Sequence, residues 1–127
     1  MAVWHGPSLR KPTGGKKVLA RKKRKYELGR YPTFTRIAAA EKRKIIRVRG
    51  GNHKVRLYLA QYINVATPEG TKKVRVLEVV ESPLGANAVR ERIITKGCLV
   101  RTEIGLVRVT SRPGQHGVLN GVLVQSG

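Results

Sequence analysis

The sequence contains no Asp, one Cys, one Phe and one Trp, and its seven acidic residues are all Glu. Each shortage excludes something. A divalent-metal nuclease site draws on several convergent carboxylates, and these Glu are scattered along the chain without an Asp to assist. The single Cys98 rules out an internal disulfide framework. His5, His53, His116 and Cys98 are too far apart in sequence for a zinc motif or a local Cys–His nucleophile. Cys98 lies in a strand-like apolar run, which suits a buried thiol. No long apolar run is present either. Val118–Val124 is interrupted by Asn120 and is far too short to span a bilayer. The opening MAVWHGPSLRKPTGG lacks the apolar centre of a secretory signal. The expectation from these absences is a cytoplasmic protein that is not an enzyme, with no metal, no organic cofactor, no small-molecule substrate and no membrane partner.

What the chain does have is positive charge. Its 127 residues hold 27 Lys and Arg against seven Glu, a net +20, with a pI near 11.3. A compact domain carrying that charge alone would repel itself, so the composition points to a polyanionic partner, and nucleic acid fits best. The charge is uneven. Residues 1–56 hold 18 of the Lys and Arg with only Glu27 and Glu41, while residues 57–127 hold nine with five Glu.

This asymmetry divides the chain into a basic arm, residues 1–30, and a single domain, residues 31–127. The arm is rich in Lys, Arg, Gly and Pro, and its run Arg21-Lys22-Lys23-Arg24-Lys25 offers no apolar side chain to bury. An extended segment is expected there, with a charged helix over Val18–Leu28 as the alternative. Residues 31–44 read both ways. Ile37–Lys44 favours helix by propensity, and Tyr31–Thr35 favours extended chain. From Ile45 onward the runs IIRVR, KVRLYLA, YINVA, VRVLEVVE, CLVRTE, LVRVTS and VLNGVLV are rich in β-branched residues. Turn signals at Gly50-Gly51-Asn52, Pro68-Glu69-Gly70, Ile104-Gly105 and Arg112–Gly117 separate several of them. The pattern predicts a mainly β fold, a small antiparallel β-barrel with an extended basic N-terminal arm, plus one short helix near Ala86–Arg92.

The β-hairpin around Gly50 carries the most specific expectation. A two-residue turn at Gly51-Asn52 sets Arg49 against Lys54, Val48 against Val55, Arg47 against Arg56 and Ile46 against Leu57. That register gathers Arg47, Arg49, Lys54 and Arg56 on one face, with the apolar residues on the other. Like charges directly opposite each other weaken a hairpin, so such a face calls for an anion.

Residues 10–29 read RKPTGGKKVLARKKRKYELG. The spacing of Arg10, Thr13-Gly14-Gly15, Arg21-Lys22-Lys23, Lys25 and Glu27-Leu28-Gly29 resembles the signature of the eukaryotic-type eighth small-subunit ribosomal protein family (S-eight-e), shared by archaea and eukaryotes. Val48–Lys54, Ile93–Gly97 and the C-terminal TSRPGQHGVLNGVL are similar to further markers of its archaeal members. Leu59–Val80 does not match clearly. The resemblance implies a cytoplasmic, ribosome-bound structural protein with a β-barrel body and a basic arm. It implies small-subunit ribosomal RNA and neighbouring ribosomal proteins as partners. A free-standing architectural nucleic-acid-binding protein or RNA chaperone is the alternative.

The candidate RNA-binding residues follow from chemistry. In the arm, Arg10, Lys11, Lys16, Lys17, the five residues Arg21–Lys25, and Arg30 supply charge and guanidinium forks. Gly14 and Gly15, which follow candidate Thr13, and Gly29 permit close approach of backbone to phosphate or a sharp turn. Trp4 and Tyr26 offer rings for stacking on unpaired bases. In the body, Arg47, Arg49, Lys54 and Arg56 line the hairpin, and Arg112, Gln115 and His116 place donors on a glycine-flanked loop.

Overall fold

The computed structural model describes residues 3–126. Two compact units make up the chain, Met1–Pro32 and Thr33–Gly127.

The larger unit is built on a closed five-stranded barrel. Its strands are β6 (Tyr62–Thr67), β7 (Gly70–Glu81), β9 (Leu99–Thr102), β10 (Gly105–Val109) and β11 (Asn120–Ser126), in the closed order β10-β11-β6-β7-β9. The mainly β barrel expected from the strand-like runs is therefore present. Four of its pairings are antiparallel, and the fifth, β11 with β6, is parallel. Gly121 lies at that seam. A Cβ there would stand 2.5 Å from Val107 Cγ1 and 2.8 Å from the Arg108 carbonyl oxygen, so Gly121 has to be small for β11 to lie against its antiparallel neighbour β10.

Alternation along the strands fills the interior. Ile63 and Val65 point in from β6, and Val107 and Val109 from β10, while Asn64 and Arg108 between them are exposed. In β7 the period breaks at two register shifts, so Val74, Val76 and Val79 are buried and Leu77 and Glu78 stay outside. The turns are those the sequence signals. Pro68-Glu69 joins β6 to β7, with the Thr67 hydroxyl donating to the Gly70 carbonyl at 2.6 Å. Glu103-Ile104 joins β9 to β10, with the Thr102 hydroxyl donating to the Gly105 carbonyl at 2.9 Å.

A second sheet runs in the order β4 (Lys42–Arg47), β5 (His53–Ala60), β3 (Thr35–Ile37), β8 (Ile93–Ile94). It shares the core through Leu57, Ala60 and Ile94. Buried Thr35 is held by its hydroxyl, which donates to the Leu57 carbonyl at 2.6 Å. The ambiguous stretch 31–44 is thus extended at both ends of a short bend, and helix propensity in Ala38–Glu41 yields to pairing with β5. The expected short helix is α1 (Ala86–Arg90), anchored by buried Ala88. A one-turn helix, α2 (Pro113–His116), occupies the Arg112–Gly117 loop and packs on β5.

The smaller unit is a loop tied at its ends. β1 (Val3–Trp4) pairs with β2 (Leu28–Gly29), Val3 opposite Gly29 and Trp4 opposite Leu28. The His5 amide also donates to the Glu27 carbonyl at 2.8 Å. Gly29 has to be small, because a Cβ there would lie 2.1 Å from the His5 ring. Within the loop, Arg10 and Lys16 bridge a tight turn. The only helical backbone described in Val18–Leu28 is a 3-10 turn over Lys25–Glu27.

Candidate nucleic-acid interface

In the smaller unit every residue from Arg10 to Tyr26 is exposed, including nine Lys and Arg. Backbone bonds shape the first half of this run. The Lys11 amide donates to the Gly15 carbonyl at 2.7 Å, the Gly14 amide to the Lys11 carbonyl at 2.9 Å, and the Lys17 amide to the Leu9 carbonyl at 2.8 Å. Gly14 takes a positive φ of 89° at the tip, beside Thr13 and Gly15. The Arg10 guanidinium caps the turn by donating to the Gly14 carbonyl at 3.1 Å. Lys11, Lys16 and Lys17 are thereby presented around one small hairpin.

The second half is organised by Glu27, the one acidic residue among the first 32. Its Oε1 accepts from Arg21 Nη1 at 2.5 Å and from the Arg24 amide at 3.3 Å. Arg21 Nη2 also donates to the Tyr26 hydroxyl at 3.0 Å. The hydrogen bond from Arg21, aided by the Arg24 amide, holds the Glu27 carboxyl below its ordinary pKa, against a smaller opposing effect of desolvation. The same bond raises Arg21 above an already high value.

The expected stacking rings are already engaged within the unit. The Trp4 indole N–H donates to the Pro7 carbonyl at 2.9 Å, Gly6 lies against its ring, and the Lys23 ammonium stands 5.7 Å from its centroid. Trp4 is half-buried, whereas Tyr26 is exposed. Arg30 is exposed just past β2.

In the larger unit the hairpin register differs from the one expected. Arg47 faces His53, Ile46 faces Lys54, Ile45 faces Val55, Lys44 faces Arg56 and Arg43 faces Leu57. The tip is the three-residue turn Arg49–Gly51, closed by the Val48 amide donating to the Asn52 carbonyl at 2.7 Å. Gly50 and Gly51 both take positive φ, at 78° and 76°, while Asn52 is extended. Three residues, Arg49–Gly51, rather than Gly51-Asn52, make the turn, and the two glycines supply its positive φ values. The expected four-cation face is therefore corrected. Opposed residues share a face, so Lys44, Ile46, Lys54 and Arg56 lie on one side. Arg47 lies on the other side with His53, and Arg49 sits in the tip.

Ion pairs sort the remaining charge. Glu41 engages Arg43 at 2.7 Å, Glu78 engages Arg101 at 2.6 Å, and Glu69 and Glu91 lie 3.7 Å from Lys72 and Arg36. Among the described residues no carboxylate lies within 4.0 Å of Lys44 or Lys54. Arg56 is half-buried and donates through Nη1 to the Thr33 hydroxyl at 2.8 Å. It is therefore partly structural. The α2 loop joins this region, because Arg43 Nε donates to the Gly117 carbonyl at 2.7 Å and Gly117 backs onto Val55. Arg112 and His116 lie on that loop, and Gln115 Nε2 stands 3.5 Å from His116 Nε2.

Lys44 and Arg43 were not among the residues expected from sequence. Their signal, a Lys-Arg-Lys run, was masked by helix propensity in the preceding alanines. Cys98 is buried, with the Thr95 amide 3.1 Å from its Sγ. No group of three or more His, Cys or Glu converges among the described residues.

Fold and surface together define a small, strongly basic β-barrel protein with an N-terminal cationic loop. The family described as Ribosomal protein S8e matches residues 4–124, and the chain belongs to it. Its curated relatives include the archaeal small ribosomal subunit protein eS8 of Staphylothermus marinus, 61% identical over 98% of this chain and 99% of the relative. The small ribosomal subunit protein eS8 of Ignicoccus hospitalis is 56% identical over 98% of both chains, and that of Hyperthermus butylicus 55% identical over 98% and 94%.

Proposed function

We propose that this protein is a structural constituent of the small ribosomal subunit, and that it binds small-subunit ribosomal RNA chiefly through its cationic loop. The observation that carries this reading is the unbroken exposure of residues 10–26, with nine Lys and Arg in a family whose relatives are named as small-subunit proteins. RNA backbone is a dense line of phosphates, and each Lys or Arg that neutralises one releases a counterion. Lys11, Lys16, Lys17 and the run 21–25 serve this purpose, with Gly14 and Gly15 giving backbone access to phosphate. Arg10 shapes the turn, and Tyr26 supplies an exposed ring with the Arg21 guanidinium beside it. On the body, Lys44 and Lys54 form the hairpin's phosphate-binding pair, supported by Arg56. Arg49 adds charge at the tip, while Arg47 and the Arg112, Gln115 and His116 loop serve separate contacts. Neighbouring ribosomal proteins are its other partners, and the protein acts on the ribosome in the cytoplasm without catalysis.

The test is co-sedimentation of the full chain with small subunits in a sucrose gradient at high salt, beside competition by unrelated duplex RNA. Retention against excess duplex is expected. Release by duplex at stoichiometric amounts identifies a non-specific architectural protein instead.

A further inference from the structure

The proposed RNA-binding loop contains a single carboxylate, and simple electrostatics makes it a defect. A negative charge beside Arg21–Lys25 weakens attraction to phosphate. The structure gives Glu27 a different part. Its side chain is only 18% exposed, against 47% for its partner Arg21. One oxygen takes both the Arg21 guanidinium and the Arg24 amide, so it ties the two ends of the Arg21–Arg24 run together. The Glu27 amide donates back to the Arg24 carbonyl at 3.0 Å, closing the 3-10 turn. Its carbonyl accepts the His5 amide, which fixes this turn to the base of the loop. The second guanidinium nitrogen of Arg21 reaches Tyr26. A planar fork is needed to reach the carboxylate and the phenol at once.

We propose that Glu27 is a positioning residue for RNA recognition. It holds Arg21, through the guanidinium fork, as a strut that fixes the curvature of residues 21–27, so that Lys22, Lys23, Arg24 and Lys25 meet phosphates in one spatial pattern rather than as a freely jointed cation chain. The proposal rests on the loop being an RNA ligand. It adds that the loop's selectivity, as distinct from its affinity, depends on a residue of the wrong charge. A fixed pattern of cations distinguishes one folded RNA from others by backbone shape. A loose run of cations binds all of them alike.

The two roles for Glu27 predict opposite signs. As a mere interruption of charge, Glu27→Gln strengthens binding to every RNA. As a strut, Glu27→Gln strengthens binding to unrelated duplex and weakens binding to small-subunit ribosomal RNA. The expected weakening on the cognate RNA is about tenfold, the order set by one charge-assisted hydrogen bond. Arg21→Lys sharpens the distinction, because it keeps the charge and removes the fork. Charge counting expects no change from it, and the strut expects the same cognate weakening as Glu27→Gln.

The experiment measures affinities of the full chain, Glu27→Gln and Arg21→Lys for deproteinised small-subunit ribosomal RNA and for an unrelated duplex at several salt concentrations. Circular dichroism confirms that each variant keeps the β fold. A reduced cognate-to-duplex ratio in both variants supports the proposal. Unchanged ratios, or cognate binding that rises in Glu27→Gln, overturn it while leaving RNA binding itself intact. A wild-type chain with no preference for the ribosomal RNA overturns both this proposal and the proposed function beneath it.

Discussion

Arg43 and Gly117 are joined across 74 residues of chain, with Arg43 Nε donating to the Gly117 carbonyl at 2.7 Å. Gly117 carries a φ of 76°, and a Cβ there would sit 2.4 Å from Val55 Cγ1. The hydrogen bond pins the α2 loop to the β4–β5 hairpin. Gly117→Ala is expected to destabilise the body by about 1–3 kcal/mol, through left-handed strain and overpacking against Val55. Arg43→Ala costs about 1–2 kcal/mol, since it removes this bond together with the partly solvated ion pair to Glu41. Urea unfolding of both variants measures this. Midpoints equal to that of the wild type would show that the loop is not fastened there.

The hairpin supplies a second expectation, changed by its observed register. Lys44→Gln and Lys54→Gln remove exposed charge without disturbing packing. Together they are expected to weaken RNA binding similarly for all sequences and reduce the log–log salt slope by roughly one to two units, about one per phosphate engaged. Arg56→Gln differs, because it also removes the bond to Thr33, and it should lower the unfolding midpoint as well. Full salt dependence in the Lys44/Lys54 double variant would take the hairpin out of the interface.

Much of the body was legible in the sequence because its signals are local. Val74, Val76, Val107 and Val109 alternate with polar neighbours, and Pro68-Glu69-Gly70 and Ile104-Gly105 mark turns that the chain uses. Non-local pairing left no comparable mark. Nothing in Asn120–Val122 announces a parallel partner in Asn64–Ala66, and the crowding that keeps Gly121 small comes chiefly from Val107 and Arg108 in β10. The hairpin register differs because the turn is the three-residue Arg49–Gly51, with positive φ at both glycines, and a two-residue reading at Gly51-Asn52 shifts every pair. The loop of the smaller unit reads in sequence as a basic arm of extended chain. Its tie, Trp4 opposite Leu28, involves two-residue strands too short to show periodicity.

The depressed pKa of Glu27 sets a pH expectation for that tie. A carboxylate whose pKa is lower in the ordered state contributes stability that is fully present above its ordinary value of 4.5 and is lost as pH falls through the lower folded value. Trp4, the sole tryptophan, reports on it, because it lies in the strand beside the Glu27 turn. Its fluorescence should stay constant from neutral pH down to about 5 and change below that. In Glu27→Gln it should already have the acid-side value at neutral pH. Identical titrations in the two proteins would mean that Glu27 does not hold the loop.

The central claim is that the cationic loop, more than the barrel, binds ribosomal RNA. The most direct measurement is the salt dependence of affinity for small-subunit ribosomal RNA, compared between the full chain and a chain lacking residues 1–30. The truncated body should keep its β circular-dichroism spectrum, because its core lies wholly within Thr33–Gly127. Its log–log slope should fall by about 0.7–0.9 for each phosphate that the loop neutralises in the full chain, several units in all, and its affinity should fall with it. A folded truncated body with unchanged slope and affinity would contradict the claim and assign the binding to the barrel.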